Sequence, residues 1–199
     1  EEMQAVEVGI NWRHKGLDAS ITGWHHHGKN MIDWIMDTSK GDQAIWESVN
    51  HTTINSVGLE VSAGLDFRQL LPSQSMLKSL KLSYSYIDQD KKQEANIVSQ
   101  YALEYLRHKF IGNLNLQLAK TIELSISARW QDRVGSYTGF DNTVSEYKPY
   151  FLTDARLAWK GTHWKIYAEA NNLFDVSYHD YGLVEQPGRW LIAGVHLNI

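Results

Sequence analysis

Apolar and polar residues alternate one for one along almost the whole chain. That period of two leaves room for little except long, half-apolar strands. In the first stretch Val6, Val8, Ile10 and Trp12 share one face, with Glu7, Gly9, Asn11 and Arg13 on the other. After a tight turn at Lys15-Gly16, Leu17, Ala19 and Ile21 oppose Asp18, Ser20 and Thr22. The rows Val57–Phe67, Leu80–Tyr86, Phe110–Leu118, Ile122–Trp130, Phe151–Trp159, Trp164–Ala170 and Leu191–Ile199 repeat the pattern. Two residues sit out of phase: Trp24 and Ile192 fall on polar faces, where a bulge or a contact within a lumen would explain them.

These rows predict about nine antiparallel strands, joined by links that alternate in length. The links near Lys15, Lys120 and Gly161 are tight, and 70–79 is modest. The links 28–50, 89–102, 135–148 and 172–188 are long. Short turns at one end and long loops at the other are the habit of barrels that cross an outer membrane, with the short ends periplasmic. With the last strand running into the periplasm, an odd count makes the first strand run downward as well. Residues are therefore expected before Glu1.

The composition permits this and excludes much else. With 199 residues, 43% hydrophobic and 21% charged, the chain suits one ordered domain. Mean hydropathy is -0.41, and no apolar run approaches the roughly 20 residues of a membrane helix. The net charge of -4 argues against a nucleic-acid partner. Cysteine is absent, so there is no disulfide framework or thiolate metal site.

Aromatic placement favours lipid outside the sheet. If the strands alternate in direction, Trp12, Phe67, Trp159 and Trp164 gather at the periplasmic end, and Tyr86, Trp130 and Phe151 at the outer end. Phe151 and Trp159 share one face of one strand. Eight residues at about 3.3 Å each, tilted about 40°, span roughly 20 Å, close to the apolar band between aromatic girdles. The other face carries Glu60, Asp66, Glu123, Arg129, Asp154, Arg156, Lys165 and Glu169. Burying these in a dry core costs several kcal/mol each, whereas a wet lumen tolerates them. Pairing of Arg129 or Glu123 with Arg156 or Asp154 is expected. A soluble, calycin-like ligand-binding barrel with its polar face outward is the alternative.

The end of the chain reads Asn171-Asn172-Leu173-Phe174-Asp175, then Tyr178, then Gln186-Pro187-Gly188-Arg189-Trp190 and a closing strand. This resembles the C-terminal signature of TonB-dependent outer-membrane receptors. In motif detail the resemblance covers the last strands, and elsewhere it rests on barrel rhythm. It implies an all-β, antiparallel transmembrane β-barrel of about 22 strands. Residues 1–199 would be its C-terminal portion, with the plug domain and earlier strands absent. Asn172 and Asp175 are expected to hold the loop entry through backbone hydrogen bonds, and Gly188 to permit the turn. The family usually ends on an aromatic residue, whereas this chain ends on Ile199.

The resemblance further implies uptake of a scarce bulky nutrient across the outer membrane of a Gram-negative bacterium. The branch resembled imports cobalamin or a ferric siderophore. Partners would be outer-membrane lipid, a small-molecule ligand, and the TonB complex acting through the plug. No bond chemistry and no cofactor is implied. Trp46, Tyr137, Phe140 and Tyr147 form the expected ligand wall, because aromatics on outer loops are exposed and rigid.

His25-His26-His27 invites a metal reading. On a strand, however, His25 and His27 lie about 6.8 Å apart along one face, which suits a rim or lumen row better. An outer-membrane barrel protease or lipase is the enzymatic alternative, with His25, His27, His51 and Asp141 as candidates at the outer rim.

Overall fold

The computed structural model describes residues 1–71, 76–91, 96–99, 105–139 and 143–197. Its strands are β1 (Glu2–His14), β2 (Leu17–Asp37), β3 (Trp46–Asp66), β4 (Leu77–Lys91), β5 (Ile97–Ser99), β6 (Tyr105–Ala119) and β7 (Ile122–Val134). They continue with β8 (Ser136–Thr138), β9 (Val144–Glu146), β10 (Tyr150–Lys160), β11 (Trp164–Asn171) and β12 (Trp190–Leu197). Ten of them form one antiparallel sheet, nine in the order β1-β2-β3-β4-β6-β7-β10-β11-β12 and β5 beside that path. The short β5 pairs with the outer end of β2, and β8 and β9 make a separate hairpin. Among the described residues β1 and β12 are the sheet's two edges.

The register keeps the apolar rows together. Trp12 pairs with Ala19, Ala19 with Ala63, Ala63 with Leu82, Leu82 with Gly112 and Gly112 with Ala128. Higher up, Val61, Tyr84, Phe110, Trp130 and Phe151 form a cross-strand row. Cross-strand aromatic pairs of this kind contribute roughly 0.2–1 kcal/mol each. Little of this apolar surface is fully covered: the rows of β6 and β7 are half-buried, and those of β1 and β12 are open. Among the described residues the buried apolar side chains are Tyr147, Tyr150, Leu152 and Ala158, whereas Val8 is 72% and Leu191 76% exposed. The apolar rows are thus an open face rather than a packed core.

Trp24 and Ile192 do point to the polar face, and no register shift falls at either. Trp24 lies flat over Gly58, where an added Cβ would sit 2.1 Å from its Cε2. The imidazole of His26 stacks on the indole at 4.4 Å. Tyr167 lies over Gly194 in the same way. At Gly58 and Gly194 a large ring thus reclines along the sheet where the neighbouring strand offers no side chain.

Three expectations need revision. The link 28–50 is mostly strand: β2 and β3 run 21 residues each, and only 38–45 connects them. The pairing slips at Gly28/Met31 and Met31/Ile32, beside Asn30 at φ 51°, which disguises the alternation there. Phe67 does not continue β3. It opens the four-residue helix α1 (Phe67–Leu70), capped by the Asp66 carboxylate accepting from Arg68 N at 3.1 Å. The expected pairing of Glu123 and Arg129 with Asp154 and Arg156 is replaced. Glu123 accepts from Lys78 and Lys160, and Arg156 lies 3.8 Å from Glu169.

The glycine beneath Trp24 can be tested in detergent-folded protein. Gly58→Ala should displace the indole and lower stability by about 1–3 kcal/mol, read as a lower urea midpoint. Adding Trp24→Ala should recover part of the loss, because the clash disappears.

Candidate functional site

The chemistry gathers at the long-loop end of the polar face. Arg133, near the end of β7, lies between two rings, with its guanidinium carbon 5.9 Å from the Tyr147 centroid and 5.6 Å from that of Tyr181. Its Nη2 is 3.8 Å from Asp180 Oδ1. The Tyr150 hydroxyl lies 2.6 Å from Gln131 Oε1 and 2.7 Å from Asp180 Oδ1, so its single proton has two acceptors to serve. Tyr178 packs against Tyr150 at 4.5 Å, and His179 stacks on Tyr137 at 4.7 Å. The Tyr147 hydroxyl accepts from Gly182 N at 2.8 Å. Segment 172–189 therefore folds down onto β7, β10 and the link between them.

Two motif residues hold that segment in place. Asn172, 5% exposed, sits at φ 49° and brackets Val176. Its Nδ2 donates to Val176 O at 2.8 Å and its Oδ1 accepts from Val176 N at 2.9 Å, while its own N–H reaches Asp154 Oδ1. Asp175, at φ 57°, accepts from Arg189 N at 2.7 Å and lies 3.9 Å from its guanidinium. Gly188 makes room, since a Cβ there would stand 2.5 Å from Asp175 Oδ1. Leu173 N donates to Thr153 O at 2.7 Å, extending the sheet by one bond. Phe174 is 67% exposed, and Pro187 precedes the Gly188-Arg189 step into β12.

The expected ligand wall is not one wall. Tyr137 and Tyr147 meet, with centroids 5.4 Å apart. Tyr147, however, is 7% exposed, covered by the last loop rather than open to solvent. Trp46 begins β3 opposite Met36, at the tip of a different hairpin. Phe140 lies outside the described residues. The alternation did contain a signal for Arg133 and Gln131, which share the polar phase of Arg129, but nothing local marked them as a site. His25 and His27 fall on the apolar face, where the His27 ring bonds Asn55 at 2.5 Å. Asp141 lies outside the described residues, as does the side chain of His51.

Of the expected girdle residues, Phe67 has left its strand for α1, and the others lie on the apolar face. Trp12 and Trp159 are 52% and 53% exposed on the apolar face near the tight turns, and Trp164 meets Trp159 edge-on at 4.8 Å. At the opposite end of that face Trp130 pairs with Phe151. Tyr84, Tyr86 and His108 join them, with the Tyr84 hydroxyl 2.8 Å from His108 Nδ1.

A long antiparallel sheet, apolar between aromatic rims on one face and charged on the other, is the wall of an outer-membrane β-barrel. The chain belongs to the TonB dependent receptor-like β-barrel family, whose model matches residues 1–173. It is 25% identical over 183 residues to the vitamin B12 transporter BtuB of Photobacterium profundum, covering 89% of this chain and 27% of that protein. The FrpB iron transporter from Neisseria meningitidis superposes with a TM-score of 0.69 at 15% identity, over 97% of this chain and 30% of its own. A variant of the ferric enterobactin receptor PfeA from Pseudomonas aeruginosa superposes with a TM-score of 0.61 at 20% identity, over the same shares. At these identities the structural likeness is one of fold. The chain spans between a quarter and a third of the length of these relatives. In such barrels the polar face lines the lumen and the short turns are periplasmic.

Asn172→Ala removes both partners of Val176, and the expected cost is about 1–3 kcal/mol. Segment 172–189 should then be cut by an added protease at concentrations that leave the parent intact. Phe174→Ala, at an exposed position, should change neither stability nor cleavage.

Proposed function

We propose that this chain forms the C-terminal portion of the barrel of an outer-membrane importer. The cargo is a scarce bulky nutrient of the cobalamin or ferric-siderophore kind, and the energy comes from the TonB complex. The observation that carries the reading is the family match over residues 1–173, joined to a sheet whose two faces suit lipid and water. The named relatives are a vitamin B12 transporter, an iron transporter and a ferric enterobactin receptor. The enzymatic and soluble-barrel alternatives draw no support from them.

In this reading the vestibule around Arg133 and Tyr181 faces the incoming ligand, with Tyr147 and Tyr150 packed behind it under the 172–189 segment. The free edges of β1 and β12 are completed by further strands of the same barrel, since an open edge in a bilayer leaves backbone groups without partners. The plug through which TonB pulls belongs to the longer protein.

Uptake of labelled cobalamin and of ferric siderophores by cells producing the full receptor tests the reading. Surface binding should persist in cells lacking TonB while accumulation falls to background. Accumulation unaffected by loss of TonB would overturn it.

The lipid contact has its own measurement. Ile126→Arg, midway between the two aromatic rims on the apolar face, should destabilise the protein folded in lipid by about 2–4 kcal/mol. Ser127→Arg, on the polar face at a similar height, should cost less than about 1 kcal/mol because water reaches it. Equal costs would contradict lipid on one side and water on the other.

A further inference from the structure

The apolar face turns polar at its outer rim. Above the row of Tyr84, Phe110, Trp130 and Phe151 stand Tyr86, His108 and Asp132, paired in that order across β4, β6 and β7. One pair further out, Asp88 lies opposite Val57 and Tyr105 opposite Val134 on the same face. At about 3.3 Å per residue and a tilt of about 40°, these groups lie roughly 5–10 Å beyond the aromatic row, at the depth of lipid headgroups.

A register slip brings a cation to this rim. Leu106 stands opposite Arg133 on the polar face and His108 opposite Asp132 on the apolar face, which leaves Arg107 as an extra residue between them. Strict alternation from Phe110 would aim Arg107 into the lumen beside Lys109. The bulge turns it outward instead. Its Nη2 donates to the Tyr105 hydroxyl at 3.2 Å and lies 3.7 Å from Asp88 Oδ1. The Tyr105 hydroxyl donates to the same Asp88 oxygen at 3.1 Å. Arg107 and Asp88 still keep 41% and 46% of their side-chain surface exposed. The Asp132 carboxylate has no hydrogen bond or ion pair among the described residues. The His108 ring lies 5.1 Å from that of Tyr86 and 5.9 Å from that of Trp130, so rings flank the charged groups.

Charge decides what such a rim can hold. Phosphate is opposed, because Asp88, Asp132 and, further out, Asp90 outnumber Arg107 on this face. A metal cation is opposed by the guanidinium already beside Asp88. Sugar hydroxyls suit both signs, since each donates to a carboxylate and accepts from a guanidinium. The C–H face of a sugar ring also packs on aromatic rings. The apolar rows below offer a place for a lipid tail.

We infer that this rim is a site for the sugar headgroup of an outer-leaflet glycolipid. The headgroup sits among Arg107, Asp132, Tyr86 and His108, and its acyl chain lies along the apolar rows below. The inference rests on which face meets lipid and not on the identity of the cargo, so a receptor that fails the uptake measurement leaves it standing.

The full receptor, reconstituted in phosphatidylcholine vesicles, is irradiated with a trace of one photoreactive lipid, and the labelled peptides are mapped. The probes share one photoreactive acyl chain and differ in headgroup: monoglucosyl diacylglycerol, phosphatidylglycerol or phosphatidylcholine. The glucosyl probe should label peptides of β4, β6 and β7 about tenfold more than the other two, as for a preference of one decade in affinity. Peptides of β11 and β12 should take up all three alike. Chelation with EDTA should leave the excess unchanged, and Arg107→Gln combined with Asp132→Asn should abolish it. The headgroup comparison on the parent protein decides the matter even where that variant fails to fold. Equal labelling by phosphatidylglycerol would overturn the inference in favour of a phosphate contact, and equal labelling by all three in favour of general lipid contact. An excess lost with EDTA would overturn it in favour of a bridging cation, and an excess surviving in the folded double variant would place the sugar elsewhere.

Discussion

Strand register is the constraint on which everything else depends. With a side-chain period of two, a slip of one residue would carry every Leu, Val and Ile row into the lumen and every charge into lipid. Lipid against one face and water against the other penalise that slip, and side-chain packing within the sheet adds to it. The register is also held by the ladder itself and by side chains that fit only one alignment. Trp24 needs Gly58 beside it, and Tyr167 needs Gly194. Ser20 bonds Ser62 at 2.7 Å, and Ser125 reaches Asn115 Oδ1 at 2.7 Å. Each such pair has no equivalent in the shifted register.

Much of this was legible in the sequence, because alternation is a local property and these strands keep it. Strand number, the tight turns near Lys15, Lys120 and Gly161, and the sidedness of Trp12, Trp130, Phe151 and Trp159 all followed from it. What escaped was non-local or irregular. The slips at Gly28–Ile32 broke the rhythm and hid the outer halves of β2 and β3. A carboxylate at Asp66 placed to cap the next turn ended β3 one residue before Phe67. Ion pairing depended on which strand a long lysine reaches: Lys78 crosses β6 to meet Glu123 on β7. Period-two reasoning assigns a face but not a reach.

The vestibule shows the same limit more sharply. Tyr137 and Tyr147 stand out in the sequence as loop aromatics, and their meeting is a consequence of loop folding that no spacing rule contains. Segment 172–189 descends because Asn172 and Asp175 adopt positive φ and return the chain toward Arg189. Once it descends, Asp180 arrives beside Arg133 and Tyr150, and Gly182 beside Tyr147. Tyr147 and Tyr137 thus serve, in three dimensions, as the seat of another loop.

β12 gains its place through this same turn. β12 pairs with β11 alone among the described strands, so a single ladder of eight register pairs fixes it. The Asp175–Arg189 clasp adds a second constraint at the outer end, where β12 begins. A long connection between adjacent antiparallel strands normally leaves their register free to wander. Here the connection is pinned at both feet, Asn172 against Asp154 and Asp175 against Arg189, so its length carries little entropic cost to register. The motif is thus an architectural device: it fixes the height at which the strand that follows the long connection enters the sheet.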